Sequence, residues 1–211
     1  MGTYRMGPPE TLILALQERL GVQSFIETGT YRGDTAAWAA RYFRKVVTAE
    51  LSPDFYAAAK ARFAGQPEVN VFCGSSDAIL REVIPALGEP AIFWLDAHWS
   101  GLDTAGRESE CPLLMEIAAV NASPLPHIVL VDDARLFCAP PPSPHRARDW
   151  PDLFTVVSAL REDGRRHVVL TEDVLVAVPA ELRPFLTDWF QNTASLAAVG
   201  RPGRWWKKFR A

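Results

Sequence analysis

Five short apolar runs, each followed by a helix-forming segment, constrain most tightly what this chain can fold into. The runs are Ser24–Glu27, Lys45–Glu50, Val69–Cys73, Ala91–Leu95 and His127–Val131. Between them lie the alanine-rich stretch Thr35–Phe43, a segment from Ser52 to about Ala64, a segment from Gly74 towards Leu87, and Pro112–Val120. Ser52-Pro53-Asp54 carries an N-cap serine, a proline at the first helical position and an acid in the first turn. Ahead of them all, Leu12, Leu16 and Leu20 recur at helical spacing before a Gly21 stop, which predicts a helix over Thr11–Leu20. Alternation of strand and helix implies a parallel sheet with right-handed crossovers and helices on both faces. The unbroken run Ala91-Ile-Phe-Trp-Leu95 suits a strand covered on both sides. Beyond a proline-rich loop (Cys138–Pro151) and a helix (Asp152–Arg161), His167–Leu170 and Val174–Val178 read as a hairpin closed by Thr171-Glu172-Asp173. The expected fold is α/β, a mostly parallel seven-stranded sheet ending in an antiparallel hairpin.

Composition narrows the class further. With 211 residues the chain has the length of one domain, since domains run to roughly 150 residues and one of about 200 buries a sizeable core unaided. We place that domain at residues 1–196. Residues 197–211 form a tail with Arg201, Arg204, Lys207, Lys208 and Arg210 interleaved with Trp205, Trp206 and Phe209. The net charge of −3 supplies no basic field, so no nucleic-acid partner is expected. Three widely spaced cysteines, Cys73, Cys111 and Cys138, form neither a disulfide framework nor a zinc knuckle and fit a reducing compartment. No leader and no run of about 18 apolar residues is seen, so a cytoplasmic protein without a transmembrane segment is expected. Homo-oligomerisation stays open.

In open α/β sheets, ligands bind beyond the carboxyl ends of the strands. Those ends carry Glu27, Glu50, Cys73-Gly74, Asp96 and Asp132-Asp133, so the rim is acidic. A phosphate site would show Gly-Lys-Ser/Thr or Gly-x-Gly-x-x-Gly, and neither occurs. Gly29 and Gly33 lack the middle glycine that lets a pyrophosphate approach, which suits an adenosine without phosphates. Glu50 is placed to accept two hydrogen bonds from a ribose diol. With the fourth and fifth strands adjacent, Asp96, Asp132 and Asp133 converge, and each pair near 4 Å repels by about 4 kcal/mol at an effective dielectric of 20. A cation resolves that repulsion, and all-oxygen ligands suit Mg²⁺.

The run Ile26-Glu-Thr-Gly-Thr-Tyr-Arg-Gly-Asp-Thr35 resembles the first motif of class I S-adenosylmethionine-dependent methyltransferases, in the Glu-x-Gly-x-x-x-Gly form of catechol O-methyltransferase. Thr48-Ala-Glu50-Leu-Ser-Pro-Asp54 resembles the second motif and Gly74-Ser-Ser-Asp77 the adenine-contacting segment. The resemblance spans about Ser24 to Leu136 and implies a Rossmann-like methyltransferase fold. It implies that Glu27, Gly29, Thr30 and Gly33 shape the cofactor turn, Tyr31 and Thr35 face the methionine part, Glu50 with Leu51 holds the ribose, and Ser76 and Asp77 read the adenine. Asp96 followed by Asp132-Asp133 is similar to the metal site of catechol- and macrocin-type O-methyltransferases, which implies Asp96, Asp132 and Asp133 as ligands of Mg²⁺ or another divalent cation.

The activity so implied is methyl transfer to a hydroxyl of a small molecule such as a sugar, diol or natural product, with Asp96 and His98 as catalytic residues. His98 is the expected general base, its ordinary pKa lying near 6.5; a metal ligand or a loop contact is the other reading. Plainer readings stand beside the rest: Glu50 as a solvated strand end, Ser75 or Ser76 as a helix cap, and Asp132-Asp133 as caps. Arg135 is expected to pair with an aspartate, holding an anionic or sugar substrate being the other reading; Cys73 is expected to pack in the sheet, Trp94 to be core, and His127, His145 and His167 to be non-catalytic. Trp99 could contact cofactor or substrate, and Ala97–Ser109 could form a lid. The alternative for the whole molecule is a non-catalytic adenosine-binding or scaffold protein, surface-associated through the cationic tail.

Overall fold

The computed structural model describes residues 7–101, 104–139 and 141–199, the side chains of 194–199 excepted. The cationic part of the expected tail lies outside the described residues. In chain order the elements are α1 (Glu10–Leu20), β1 (Ser24–Thr28), α2 (Asp34–Ala39), β2 (Lys45–Glu50), α3 (Pro53–Arg62), β3 (Val69–Cys73), α4 (Ser76–Val83), β4 (Ala91–Leu95), α5 (Leu113–Asn121), β5 (Ile128–Val131), α6 (Arg135–Cys138), α7 (Leu153–Arg161), β6 (Arg166–Thr171), β7 (Val174–Pro179) and α8 (Arg183–Val199). Every expected strand is present. The seven strands lie in the order β3-β2-β1-β4-β5-β7-β6, with β1 to β5 parallel and β7 antiparallel to both β5 and β6.

Because successive side chains of a strand point to opposite faces, both faces of these continuous apolar strands need cover. Ile26, Val47, Phe93, Leu95, Val129 and Val131 pack under α4, α5, α6 and α7. Their neighbours Phe25, Val46, Ile92, Trp94, Ile128 and Leu130 pack under α1, α2, α3 and α8. Trp94 is therefore core, as expected, at 1% exposure. Cys73 is not: β3 is an edge strand, and Cys73 at its end is exposed among the described residues. Two helices stop short of expectation. The chain turns after Ala39, and α4 passes into a 3₁₀ turn at Ile84–Ala86 because Pro85 has no N–H to continue the α-helical ladder. Among the described residues no helix is long and apolar enough to cross a membrane.

The chain order reverses between β1 and β4, the switch point where open sheets bind ligands. Thr28, Leu95 and Val131 are level across β1, β4 and β5. Gly29, Asp96 and Asp132 consequently stand one residue beyond them on a common rim.

Candidate active site

The turn after β1 is built around Gly29, Tyr31 and Gly33, all with positive φ. A Cβ on Gly29 would lie 2.4 Å from the Asp96 carbonyl oxygen, so only glycine lets this turn sit against the end of β4. Tyr31 at φ 47° pays for a left-handed backbone, and the return is a hydrogen bond: its N–H donates to Glu50 Oε2 at 2.7 Å. The Ser52 N–H donates to the other Glu50 oxygen at 2.8 Å. Glu50 is thus a buried, doubly anchored carboxylate closing β2, not a solvated strand end.

Behind this turn, Glu27 is 2% exposed and accepts from Thr48 Oγ1 at 2.6 Å, with Thr30 Oγ1 against Thr48 Oγ1 at 2.6 Å. Burial above all, with the charges of Asp96 and Glu50 adding to it, outweighs hydrogen bonds from Thr48 and Thr35 and pushes Glu27 up to about 8. It is a neutral acid at pH 7.

On the other side of the switch point, His98 lies between two carboxylates. Its Nδ1 is 3.3 Å from Asp96 Oδ1 and its Nε2 is 2.9 Å from Asp133 Oδ2. Burial opposes charge on this ring, but hydrogen bonds to Asp133 and Asp96 and their negative charges outweigh it and raise His98 to about 10. The ring holds a proton on each nitrogen. Arg135 pairs with Asp133 and with Asp173 of the β6–β7 turn, the aspartate pairing expected of it.

The donor atoms of Asp96, His98 and Asp133 lie within 4.8 Å of one another. This differs from the expected set of Asp96, Asp132 and Asp133. Asp133 turns through a left-handed φ of 54° towards His98, while Asp132 Oδ1 accepts from the Asp133 N–H at 2.8 Å. Burial, then the charges of Asp96 and Asp133, push Asp132 up to about 7.

One cavity of about 670 Å³ joins the two halves, within the range of small-molecule sites. Of the residues singled out from sequence, Gly29, Tyr31, Glu50, Leu51, Ser76, Asp96, His98, Asp132 and Asp133 line it. Glu27, Thr30, Gly33, Thr35 and Asp77 do not. Gly33 begins α2, where a Cβ would meet the Phe63 ring at 2.9 Å. Asp77 turns to Ser75 Oγ and to Arg81, 2.8 Å away, so the Ser75 hydroxyl donates to Asp77 and does not cap α4. Trp99 is buried against His145 at 5.0 Å and does not line the cavity. His127, buried at the far end of β5, accepts from the Ala91 N–H, and burial lowers it to about 4.

Sequence reasoning missed Phe55 and Met115 in the lining and Glu110 and Trp150 behind it. Phe55 and Met115 sit on helices already expected, and their places were readable only as the first turns of helices at the carboxyl rim. Glu110 and Trp150 are forty residues apart and carried no local signal.

No family model matches the sequence, and no curated protein does. Solved structures do match. The SAH-bound methyltransferase PaMTH1 of Podospora anserina is 21% identical over 80% of this chain and 76% of that one, with a TM-score of 0.56. This chain has a Rossmann-like methyltransferase fold. A Staphylococcus aureus protein provisionally assigned as a caffeoyl-CoA O-methyltransferase superimposes with a TM-score of 0.57 at 14% identity, covering 83% of this chain and 86% of that one. A provisionally assigned O-methyltransferase of Klebsiella pneumoniae gives 0.55 at 16% identity, covering 85% and 84%.

Proposed function

We propose that this protein transfers the methyl group of S-adenosylmethionine to a hydroxyl oxygen of a small molecule, with a divalent cation at Asp96, His98 and Asp133. The observation that carries this reading is a shared cavity: the Gly29 turn and Glu50 face the same space as the acid–imidazole cluster. Each Glu50 oxygen takes one backbone N–H and keeps lone pairs for a ribose diol. Gly29 lets the turn sit against the end of β4 beside the cavity, and Leu51, Phe55 and Met115 offer apolar cover for a purine. Glu27, Thr30 and Thr35 act from behind by fixing the turn.

In the transfer, a bond forms from the acceptor oxygen to the methyl carbon as the sulfur–carbon bond breaks. The electron pair stays on sulfur, and the hydroxyl proton leaves to a group in the cavity. Asp132, raised to about 7 and not engaged by His98, is placed to take it. His98 accepts a proton only after giving up one of its own. Two carboxylate oxygens and one imidazole nitrogen this close fit a hard or borderline divalent cation, Mn²⁺ as readily as Mg²⁺. Such a cation, when bound, would acidify an acceptor hydroxyl and neutralise Asp96 and Asp133 in place of the imidazolium.

Calorimetry with S-adenosylhomocysteine, followed by methyl-labelled S-adenosylmethionine with a panel of vicinal diols, tests this. The product should bind, and Glu50→Ala should weaken it by about tenfold or more, the loss of charge-assisted hydrogen bonds. Chelation should stop transfer and Mg²⁺ or Mn²⁺ restore it. Absence of product binding removes the reading; transfer that survives chelation removes the cation alone.

A further inference from the structure

Glu110 is a carboxylate at 1% exposure, and its side chain is met, among the described residues, by partners from the loop between α6 and α7. It belongs to the stretch between β4 and α5, while Trp150 Nε1 donates to it at 2.9 Å, the Arg146 N–H at 3.0 Å, and His145 Nδ1 lies at 3.3 Å. These partners hold the carboxylate below its usual range. Arg146 reaches back with its guanidinium to the carbonyls of Arg107 at 2.6 Å and Glu108 at 2.8 Å. Trp99, from the first loop, stands edge-on to His145, and the Trp99 backbone N–H donates to the Glu110 backbone carbonyl at 2.8 Å. Two long loops are thereby joined through one buried acid.

The same tryptophan that Glu110 fixes also touches the cluster below. The Trp150 ring meets His98 at a centroid distance of 5.5 Å and an angle of 83°, and packs on Phe137 at 6.0 Å. His98 therefore has carboxylates at its two nitrogens and an aromatic wall at its side. A ring between two acids can slide towards either, and a wall fixed by a buried hydrogen bond limits that motion.

We propose that Glu110 and Trp150 are positioning residues: Glu110 anchors Trp150, and Trp150 holds the His98 ring between Asp96 and Asp133 while the same acid ties the two loops together. The consequence for methyl transfer rests on the function proposed above; the positioning itself does not.

The chain has four histidines, so nuclear magnetic resonance of ring-¹⁵N-labelled protein in metal-free buffer resolves them, with His98 assigned by its loss in His98→Gln. Its ring N–H protons should exchange slowly with solvent, and in Glu110→Gln they should exchange about tenfold faster or more. Trp150→Phe, which keeps an aromatic ring but loses the donor, should show a smaller acceleration of the same sign. The buried His127 ring proton, at the opposite end of β5, should not change in either variant. Unchanged His98 exchange overturns the proposal, and so does parallel acceleration of His98 and His127, which marks general destabilisation. S-adenosylhomocysteine calorimetry on the unaltered protein, run alongside, judges the cofactor reading independently.

Discussion

At φ +83° and with the Asp96 carbonyl 2.4 Å from where a Cβ would sit, Gly29 has two separate reasons to be glycine. Left-handed backbone costs a non-glycine about 1 to 2 kcal/mol, and overpacking against backbone about 1 to 3 kcal/mol more. Gly29→Ala should therefore lower stability in urea denaturation by roughly 2 to 5 kcal/mol and distort the β1 turn where it meets β4. Gly33→Ala should cost less, because its close neighbour is the Phe63 ring, which can turn aside. Equal losses in the two variants would show that the contact with Asp96 contributes nothing. The glycines were visible in the sequence, but the reason for Gly29 was not: its crowding comes from a strand 67 residues further on. His98 shows the same limit. Its place two residues after Asp96 was readable, whereas its second carboxylate, Asp133, arrives only through the β4–β5 pairing.

Elements are legible where local chemistry and tertiary packing agree. The strands read correctly because both sheet faces are covered, which turns alternation into continuous apolar runs. Helix ends were harder, since a serine or aspartate in the right place need not use its side chain as a cap. Asp152 does so: it accepts from the Thr155 N–H at 3.0 Å and from Thr155 Oγ1 at 2.9 Å at the start of α7. Ser75 occupies the same position at α4 and donates to Asp77 instead. Asp152→Ala should thus cost about 1 kcal/mol, while Ser75→Ala should change stability by less than about 0.5 kcal/mol. Urea midpoints of the two variants compare them directly. A larger loss for Ser75→Ala would mean that the Ser75–Asp77 contact, not a cap, holds the start of α4.

Across the whole molecule the buried groups give stability an unusual dependence on pH. Glu27 at about 8 and Glu116 at about 7 bind protons in the folded state that the unfolded chain releases near 4.5. Burial is the chief cause in both. The native state then holds more protons than the unfolded one, so stability falls as pH rises, by up to about 1.4 kcal/mol per pH unit for each such group. Their contribution is full below about pH 4.5 and is lost by pH 7 to 8. His98, raised from 6.5 to about 10, works in the same direction over a later window: its contribution is full below pH 6.5 and lost as pH approaches 10. His127, lowered to about 4, opposes them only between pH 4 and 6.5, where the unfolded chain binds the extra proton. Above pH 6.5 His127 has no further effect, and Glu27, Glu116 and His98 pull stability down within their windows. In metal-free buffer the urea midpoint should therefore decline steadily from pH 6.5 to 9.5, with Glu27→Gln flattening only the part below 8 and His98→Gln flattening the whole range, the part above 8 almost completely. A flat profile in the unaltered protein would mean that Glu27 and His98 are charged as they are in the unfolded chain, which the hydrogen bonds from Thr48 and the two flanking carboxylates of His98 argue against.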